Sequence, residues 1–486
     1  MSILSAYEPK EVLKFFEEIC SIPHGSGNVD QISDYLVKFA VDRGLKYRQD
    51  EAKNVIIWKE GTAGYENSAP VILQGHMDMV AVKDSDCEKN LETEGLDLEV
   101  VEVDGEKWIS AKGTSLGGDD GIAVAMGLAL LDSDTIPHPP LEVVATTDEE
   151  VGMDGAAALD CSDLKGRLFL NADSEDEGVF TVSCAGGMRA NASVPYETEV
   201  KDGALVTVKL TGFRGGHSGV EINKGRLNAN IVLGRVLNAL RKEVPVQLVS
   251  VSGGDKDNAI AVFSEAAFVT EAANVAAAKE ALEKEMAVVK EEYASVEKGL
   301  IVTIAAEEQT AIRCMTKKSS DQIIVLLMNY INGIQRMNPD MEDMVQTSLN
   351  LGILTTGEDA VVFSSALRSS SESEKEHLLE RIRSNAQLFG GSVEISGNYP
   401  GWEFRPESLV RDTFVECYKE QYGKDPIVEG IHAGLECGLF SSKLPGLDCI
   451  SYGPQMRSIH TTGELLSIDS TARTWELTKA VLAKLK

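Results

Sequence analysis

Residues 70–78 read Pro-Val-Ile-Leu-Gln-Gly-His-Met-Asp. The run Val71, Ile72, Leu73 is short, apolar and bounded by turn and polar residues, which marks a buried strand rather than a helix. Where that strand ends the chain places His76 and then Asp78. The same pattern recurs at 55–58, at 141–147 ahead of Glu149-Glu150, and at 167–171 ahead of Asp173. Between them, 120–131 is rich in Ala, Gly and Leu and reads as a helix. Strands alternating with helices predict an α/β fold with a mostly parallel sheet covered on both faces. In such a sheet the carboxyl ends of the strands meet at one crevice, so polar residues distant in sequence converge there.

The convergent set carries chemistry. His76, Asp119, Glu150, Asp173 and His460 offer two imidazoles and three carboxylates, a nitrogen and oxygen donor set suited to a pair of divalent ions. Neighbouring side chains on a strand end diverge, so Glu150 can face a metal while Glu149 is left over as a general base. Asp119 follows the Gly-rich turn at 113–118 and opens a helix, a place from which one carboxylate can bridge two ions. Residues i and i+2 of extended chain share a face, so Asp78 is expected to accept the second ring N–H of His76 and fix its tautomer. A lone histidine or a Glu-Glu pair is usually structural or solvated. Here the residues gain weight by falling together at strand ends.

At 486 residues the chain exceeds one ordinary core, and two domains are expected. The pattern changes after Cys184-Ala185-Gly186-Gly187. A strand at 204–210, helices at 226–241, 276–297, 322–335 and 373–388, and paired strands within 347–367 describe a separate α+β domain. The α/β pattern resumes after Tyr399-Pro400-Gly401, with a helix at 409–421, a strand at 449–452 and a last helix at 469–485. The expected division is a catalytic domain in two parts, 1–186 and 399–486, around a domain at 187–398. Because His460 lies in the last part, both ends must fold together.

Net charge −31, from 46 Lys and Arg against 77 Asp and Glu, repels phosphate backbones and anionic membranes, so neither nucleic acid nor membrane is an expected partner. Eight cysteines without a C-x-x-C pair fit thiols of a reducing compartment. With no signal-peptide core and no apolar run of membrane length, the expected location is the cytoplasm. The acidic stretch at 84–106 reads as a solvated loop or hairpin.

Two further motifs, Arg214-Gly215-Gly216-His217-Ser218-Gly219 and His432-Ala433-Gly434-Leu435-Glu436-Cys437-Gly438, complete a set in which the chain resembles the M20 metallopeptidases, most closely their aminoacyl-histidine dipeptidase (peptidase D, Xaa-His dipeptidase) branch. The resemblance runs from Cys20-Ser21-Ile22-Pro23-His24 to the region of His460. It implies that His76 and Asp173 hold one ion, Glu150 and His460 the other, and that Asp119 bridges them. It implies Glu149 as general base, a cis peptide at Asp119-Asp120, and the domain at 187–398 as a lid that also dimerises. In that lid His217 would stabilise the oxyanion, Asn258 and Arg368 would anchor the substrate carboxylate, and Gly434 would offer a main-chain contact. A planar Arg fork suits such a carboxylate. The implied substrate is a dipeptide and the implied cofactors are two divalent ions, zinc first, with manganese and cobalt fitting the same ligands.

The chain departs from the branch in reading Asp119-Asp120 where Asp-Asn is common, which adds a carboxylate near the metals. It also reads Asn258-Ala259-Ile260-Ala261 where relatives have proline last. An M20-type N-acyl-amino-acid deacylase or a tripeptidase shares the same core and stands as the alternative. More remotely, Gly113-Thr114-Ser115-Leu116-Gly117 matches G-x-S-x-G, and a serine hydrolase could formally draw on Asp173 and His460. That reading leaves His76, the Glu pair and the His217 motif unused.

Overall fold

The strand expected at 70–74 runs Val71–His76, with all six residues buried. The computed structural model describes residues 2–486, which divide into two units. One comprises Met1–Ser183, Phe404–Gly430 and Leu435–Lys486, the other Cys184–Glu403 and Ile431–Gly434.

In the first unit Val71–His76 lies near the middle of an eight-stranded sheet ordered Lys46–Gln49, Val55–Lys59, Leu141–Thr146, Val71–His76, Leu168–Asn171, Asp448–Ser451, Val179–Cys184, Ile427–Ile431. The four central strands, Leu141–Thr146 through Asp448–Ser451, pair in parallel. The flanking pairs to Val55–Lys59, Lys46–Gln49 and Val179–Cys184 are antiparallel. The register sets His76 beside Thr146 and Gln74 beside Asn171. The residues that follow, Met77 to Asp78, Thr147 to Glu150 and Ala172 to Asp173, therefore leave the sheet at one edge.

The helix Gly118–Asp132 is apolar all round and buried, as a helix packed on both sides must be. Lys10–Cys20 covers it, and Gly121 makes the approach possible: a Cβ there would lie 3.4 Å from Phe16. The acidic stretch contains the hairpin Leu98–Val103 with Glu106–Ala111, which a short strand, Leu465–Ser467, extends.

The second unit is built on a nine-stranded sheet whose described pairings are antiparallel. Its core joins strand residues such as Val206, Val208 and Phe268 to Leu233 and Leu237 of helix Ala229–Glu243, Leu282 of Val275–Glu292, Ile324 and Leu327 of Lys317–Met328, and Leu378 of Glu372–Leu388. Three details differ from the sequence reading. The helix expected at 322–335 is Lys317–Met328: Thr316 caps it by accepting from the Ser319 N–H, and Gly333, at φ 80°, opens a strand, Gly333–Met337. Two strands, Val179–Cys184 and Gly186–Pro195, flank the change of pattern where none was expected. Finally Ile431–Gly434, expected within 399–486, groups with the second unit. The Ala185 N–H donates to the carbonyls of Ile431 and Ala433, and His432 Nε2 meets Ser348 Oγ at 2.7 Å.

Candidate metal centre

His76 owes its position to the residue before it. A Cβ on Gly75 would lie 2.5 Å from both Ala123 Cβ and Asp120 Oδ2, so only glycine lets helix Gly118–Asp132 close onto the strand. That approach brings Asp120 Oδ2 to the His76 N–H at 3.2 Å. Asp119 stands at the first turn of the helix, where the geometry departs from helical and the Asp119-Asp120 peptide is cis.

Around Asp119 the candidates meet. Its Oδ1 lies 3.0 Å from His76 Nε2 and its Oδ2 3.1 Å from His460 Nε2. His460 Nε2 is also 2.9 Å from Glu150 Oε1, and Asp173 Oδ1 is 3.7 Å from His76 Nε2. The structure thus brings together His76, Asp119, Glu150, Asp173 and His460, drawn from residues 76 to 460. Glu149 follows from the same strand end as Glu150.

The electrostatics describe crowded negative charge. Burial alone would lower the His76 pKa, but hydrogen bonds with Asp119, Asp173 and Asp78 outweigh it and raise it well above the usual imidazole range. Asp119 and then Glu150 push His460 up to about 10. Burial, with Asp173, Glu436 and Glu150 adding repulsion, pushes Glu149 up to about 9. Burial likewise lifts Asp173 to about 6. Burial opposes ionisation of Asp119 too, yet its bonds to His460 and His76 hold it below the usual carboxylate range.

A cation fits this arrangement on its donors. Atoms of His76, Asp119 and Glu150 lie within 4.8 Å of one another, as do those of His76, Asp120 and Asp173. Asp120 Oδ1 is buried without a hydrogen-bond donor. Nitrogen and carboxylate oxygen at this spacing suit divalent first-row ions.

Asp120, the departure noted in the sequence, is fully buried, and burial raises its carboxyl well above the usual range. Asp78 stands beside the other ring nitrogen of His76: the nearest partner of Nδ1 is the Asp78 main-chain carbonyl at 3.0 Å, with the carboxylate at 3.5 Å. That carboxylate also accepts from Ser26 Oγ at 2.8 Å and from the Glu149 N–H at 3.2 Å, which ties the two strand ends together.

Two buried carboxylates escaped the sequence reading. Glu436 is fully buried and accepts from Gln74 Nε2 at 2.5 Å and Thr146 Oγ1 at 2.7 Å; burial pushes it up to about 7. Glu464 accepts three main-chain N–H groups of the turn before Asp119. The available signal was a single Glu among apolar neighbours, Leu435 and Cys437 in one case, Leu465 and Leu466 in the other.

Within the second unit the remaining candidates form their own group. His217 pairs with Ala259 across a two-residue strand, and the Ser218 N–H donates to the Asn258 carbonyl at 2.9 Å. His217 Nδ1 accepts from the Gly219 and Val220 N–H groups at 3.3 and 3.2 Å, which leaves the ring proton on Nε2. Burial and the charge of Arg368 hold His217 below the usual imidazole range. A Cβ on Gly219 would lie 2.4 Å from the His432 carbonyl and 3.2 Å from Arg368 Nε, so this glycine lets the His217 turn, Arg368 and the segment holding Gly434 pack together. Arg368 Nη1 reaches Tyr399 Oη at 3.3 Å, and Asn258, Arg368 and Tyr399 line one small cavity.

Ser115 is excluded as a nucleophile. It is fully buried, its hydroxyl donates to the Val80 carbonyl at 2.6 Å and accepts from the Val82 N–H at 3.1 Å.

Residues 72–484 match the model of peptidase family M20/M25/M40. The chain is 36% identical to the cytosol non-specific dipeptidase of Escherichia coli (strain K12), over 100% of this chain and 99% of the relative. The crystal structure of aminoacylhistidine dipeptidase from Vibrio alginolyticus superposes with a TM-score of 0.93 at 35% identity, covering 99% of this chain and 98% of that one. The aminopeptidase PepT from Bacillus cereus shares the fold, with a TM-score of 0.56 at 17% identity over 99% of each chain. Matched along nearly its whole length, the chain belongs to peptidase family M20/M25/M40.

Proposed function

We propose that this protein is a metal-dependent dipeptidase that hydrolyses the peptide bond of Xaa-His or other dipeptides, with His76 and Asp173 holding one divalent ion, Glu150 and His460 a second, and Asp119 shared between them. One observation carries the reading: the two oxygens of Asp119 lie 3.0 and 3.1 Å from the Nε2 atoms of His76 and His460. Full-length similarity to two proteins named as dipeptidases supports the substrate class. Zinc leads among the candidate ions, with manganese and cobalt compatible.

When bound, the ions would polarise the scissile carbonyl, ease the ionisation of water and return Glu149 to its carboxylate form. Glu149 takes a proton from water and delivers it to the leaving amine. Asp78 keeps that base in place by holding its main-chain N–H. His217, with its proton on Nε2, is assigned to the developing oxyanion. Arg368 and Asn258 are assigned to the free carboxylate, and Gly434 to a main-chain contact with the substrate. A carboxylate anchor measures the length of the substrate, which favours a dipeptide over a longer chain.

Dimerisation through the second unit and a cytoplasmic location belong to the same proposal. Among the described residues no helix is long and apolar enough to cross a membrane.

The test is hydrolysis of a panel of dipeptides, β-Ala-His among them, with a tripeptide and an N-acetyl amino acid, on chelated enzyme before and after zinc or manganese is restored. Metal-dependent cleavage confined to dipeptides is expected. Cleavage of only the acetylated substrate would move the protein to the deacylases, and activity surviving chelation would overturn the two-metal reading.

A further inference from the structure

The mechanism above leaves Glu464 idle, although it is a carboxylate only 3% exposed. Its Oε2 accepts from the N–H groups of Leu116 at 2.8 Å and Gly117 at 3.2 Å, and its Oε1 from Gly118 at 2.8 Å. Three consecutive N–H groups can face one anion because Gly117 is left-handed, at φ 67°, a backbone form that makes a concave nest. Gly118 also begins the helix Gly118–Asp132, so the anion sits where the helix dipole favours it. The residue after Gly118 is Asp119.

On its other side Glu464 ends the turn that bears His460. That turn is tight: His460 has φ 61°, Thr461 Oγ1 donates to the Ser458 carbonyl at 2.7 Å, and the Glu464 N–H donates to the Thr461 carbonyl at 3.3 Å. The Glu464 carbonyl accepts from Ser110 Oγ at 3.1 Å, and the strand that follows pairs Leu466 with Ile109. One side chain therefore fastens the residue before Asp119 to the turn after His460.

We propose that Glu464 is a positioning residue that sets the separation of His460 from Asp119 and thereby the affinity for the ion held on the His460 side. The inference rests on the reading of His460 and Asp119 as ligands. It assigns Glu464 no contact with metal or substrate. Glu142 provides the contrast: it too is a buried carboxylate on main-chain N–H groups, those of Lys165 and Gly166, but it lies at the opposite end of strand Leu141–Thr146 from the cluster.

The experiment is calorimetric titration of Mn²⁺ into the metal-free full-length protein and its H460A, E464Q and E142Q variants, with thermal melting alongside. The wild type should bind in two steps, and H460A should lose one of them. In E464Q the amide turns an NH₂ group toward N–H donors, and the step lost in H460A should weaken by about 10- to 100-fold while the other is unchanged. E142Q should melt lower yet bind both ions as the wild type does. Wild-type affinity in E464Q, or equal weakening of that step in E142Q, would overturn the proposal. If E464Q does not fold, S110A, which removes only the hydroxyl on the Glu464 carbonyl, must weaken the same step, and wild-type affinity there overturns the proposal instead. Should H460A itself bind like the wild type, the ligand reading fails before Glu464 is tested.

Discussion

At the scale of single residues, the proposed chemistry turns on Glu149. Replacing it with Gln keeps its size and its main-chain tie to Asp78 but removes the proposed base. Turnover should fall by about 10²- to 10⁴-fold, the range of general acid–base contributions, while two-step metal binding persists. Loss of metal from E149Q would instead make Glu149 a ligand. The places of His76, Glu150 and Asp173 were legible because each lies at or just after the end of an apolar strand, and a strand end in an α/β sheet is a predictable place. Asp78 was legible as a neighbour of His76, whereas its contacts with Ser26 Oγ and the Glu149 N–H were not, since those donors lie on other segments of the chain. Glu436 and Glu464 were not legible as contributors. Their donors, Gln74 and Thr146 in one case and the N–H groups of residues 116–118 in the other, lie hundreds of residues away, and a main-chain donor has no sequence signature.

At the scale of elements, two joints hold the chemistry in place. The first is the seat of helix Gly118–Asp132 on strand Val71–His76 at Gly75. In G75A the added methyl meets Ala123 Cβ and Asp120 Oδ2 at 2.5 Å, a crowding worth about 1–3 kcal/mol. A lower melting temperature and weaker metal binding are expected; if calorimetry finds both unchanged, the helix slides freely on the strand. The second joint is the loop 214–227 that carries His217, pinned at both feet by Glu297, which accepts from the Arg214 N–H at 2.9 Å and the Leu227 N–H at 3.0 Å. E297A leaves two N–H groups unpaired, at about 1–3 kcal/mol each. Hydrogen exchange should quicken across 214–227 and kcat should fall with metal affinity intact, whereas unchanged exchange would show that the loop does not depend on this carboxylate. Elements with strong helical or strand patterns, such as Glu372–Leu388 or the paired strands Val345–Thr356 and Ala360–Ser369, were readable from sequence. The helix Lys317–Met328 was displaced in the reading because its limits depend on a Thr316 cap and a turn at Gly333, weaker signals than its apolar spacing.

At the scale of the whole molecule, His432 links folding to pH. Burial, with the charge of Arg368 and the nearby His217 acting in the same direction, holds its imidazole down to about 3. An unfolded histidine titrates near 6.5, so between about 6.5 and 3 the unfolded chain binds a proton that the folded one refuses, and stability falls as pH falls through that window. In H432N the decline of melting temperature across the window should be shallower; parallel slopes would remove His432 as the cause. The change of pattern after residue 184 falls where the second unit begins, but Ile431–Gly434 carries no such signal, because four residues are too few to show a pattern of their own. The spread of the ligand cluster from residue 76 to residue 460 also bears on how the protein is made. Synthesis runs from the N-terminus, and early segments begin to fold before later ones exist. Residue 460 is added long after the other four, so until then a nascent chain carries His76, Asp119, Glu150 and Asp173 as an incomplete set, and on the proposed reading hydrolytic capacity is withheld until His460 has been made.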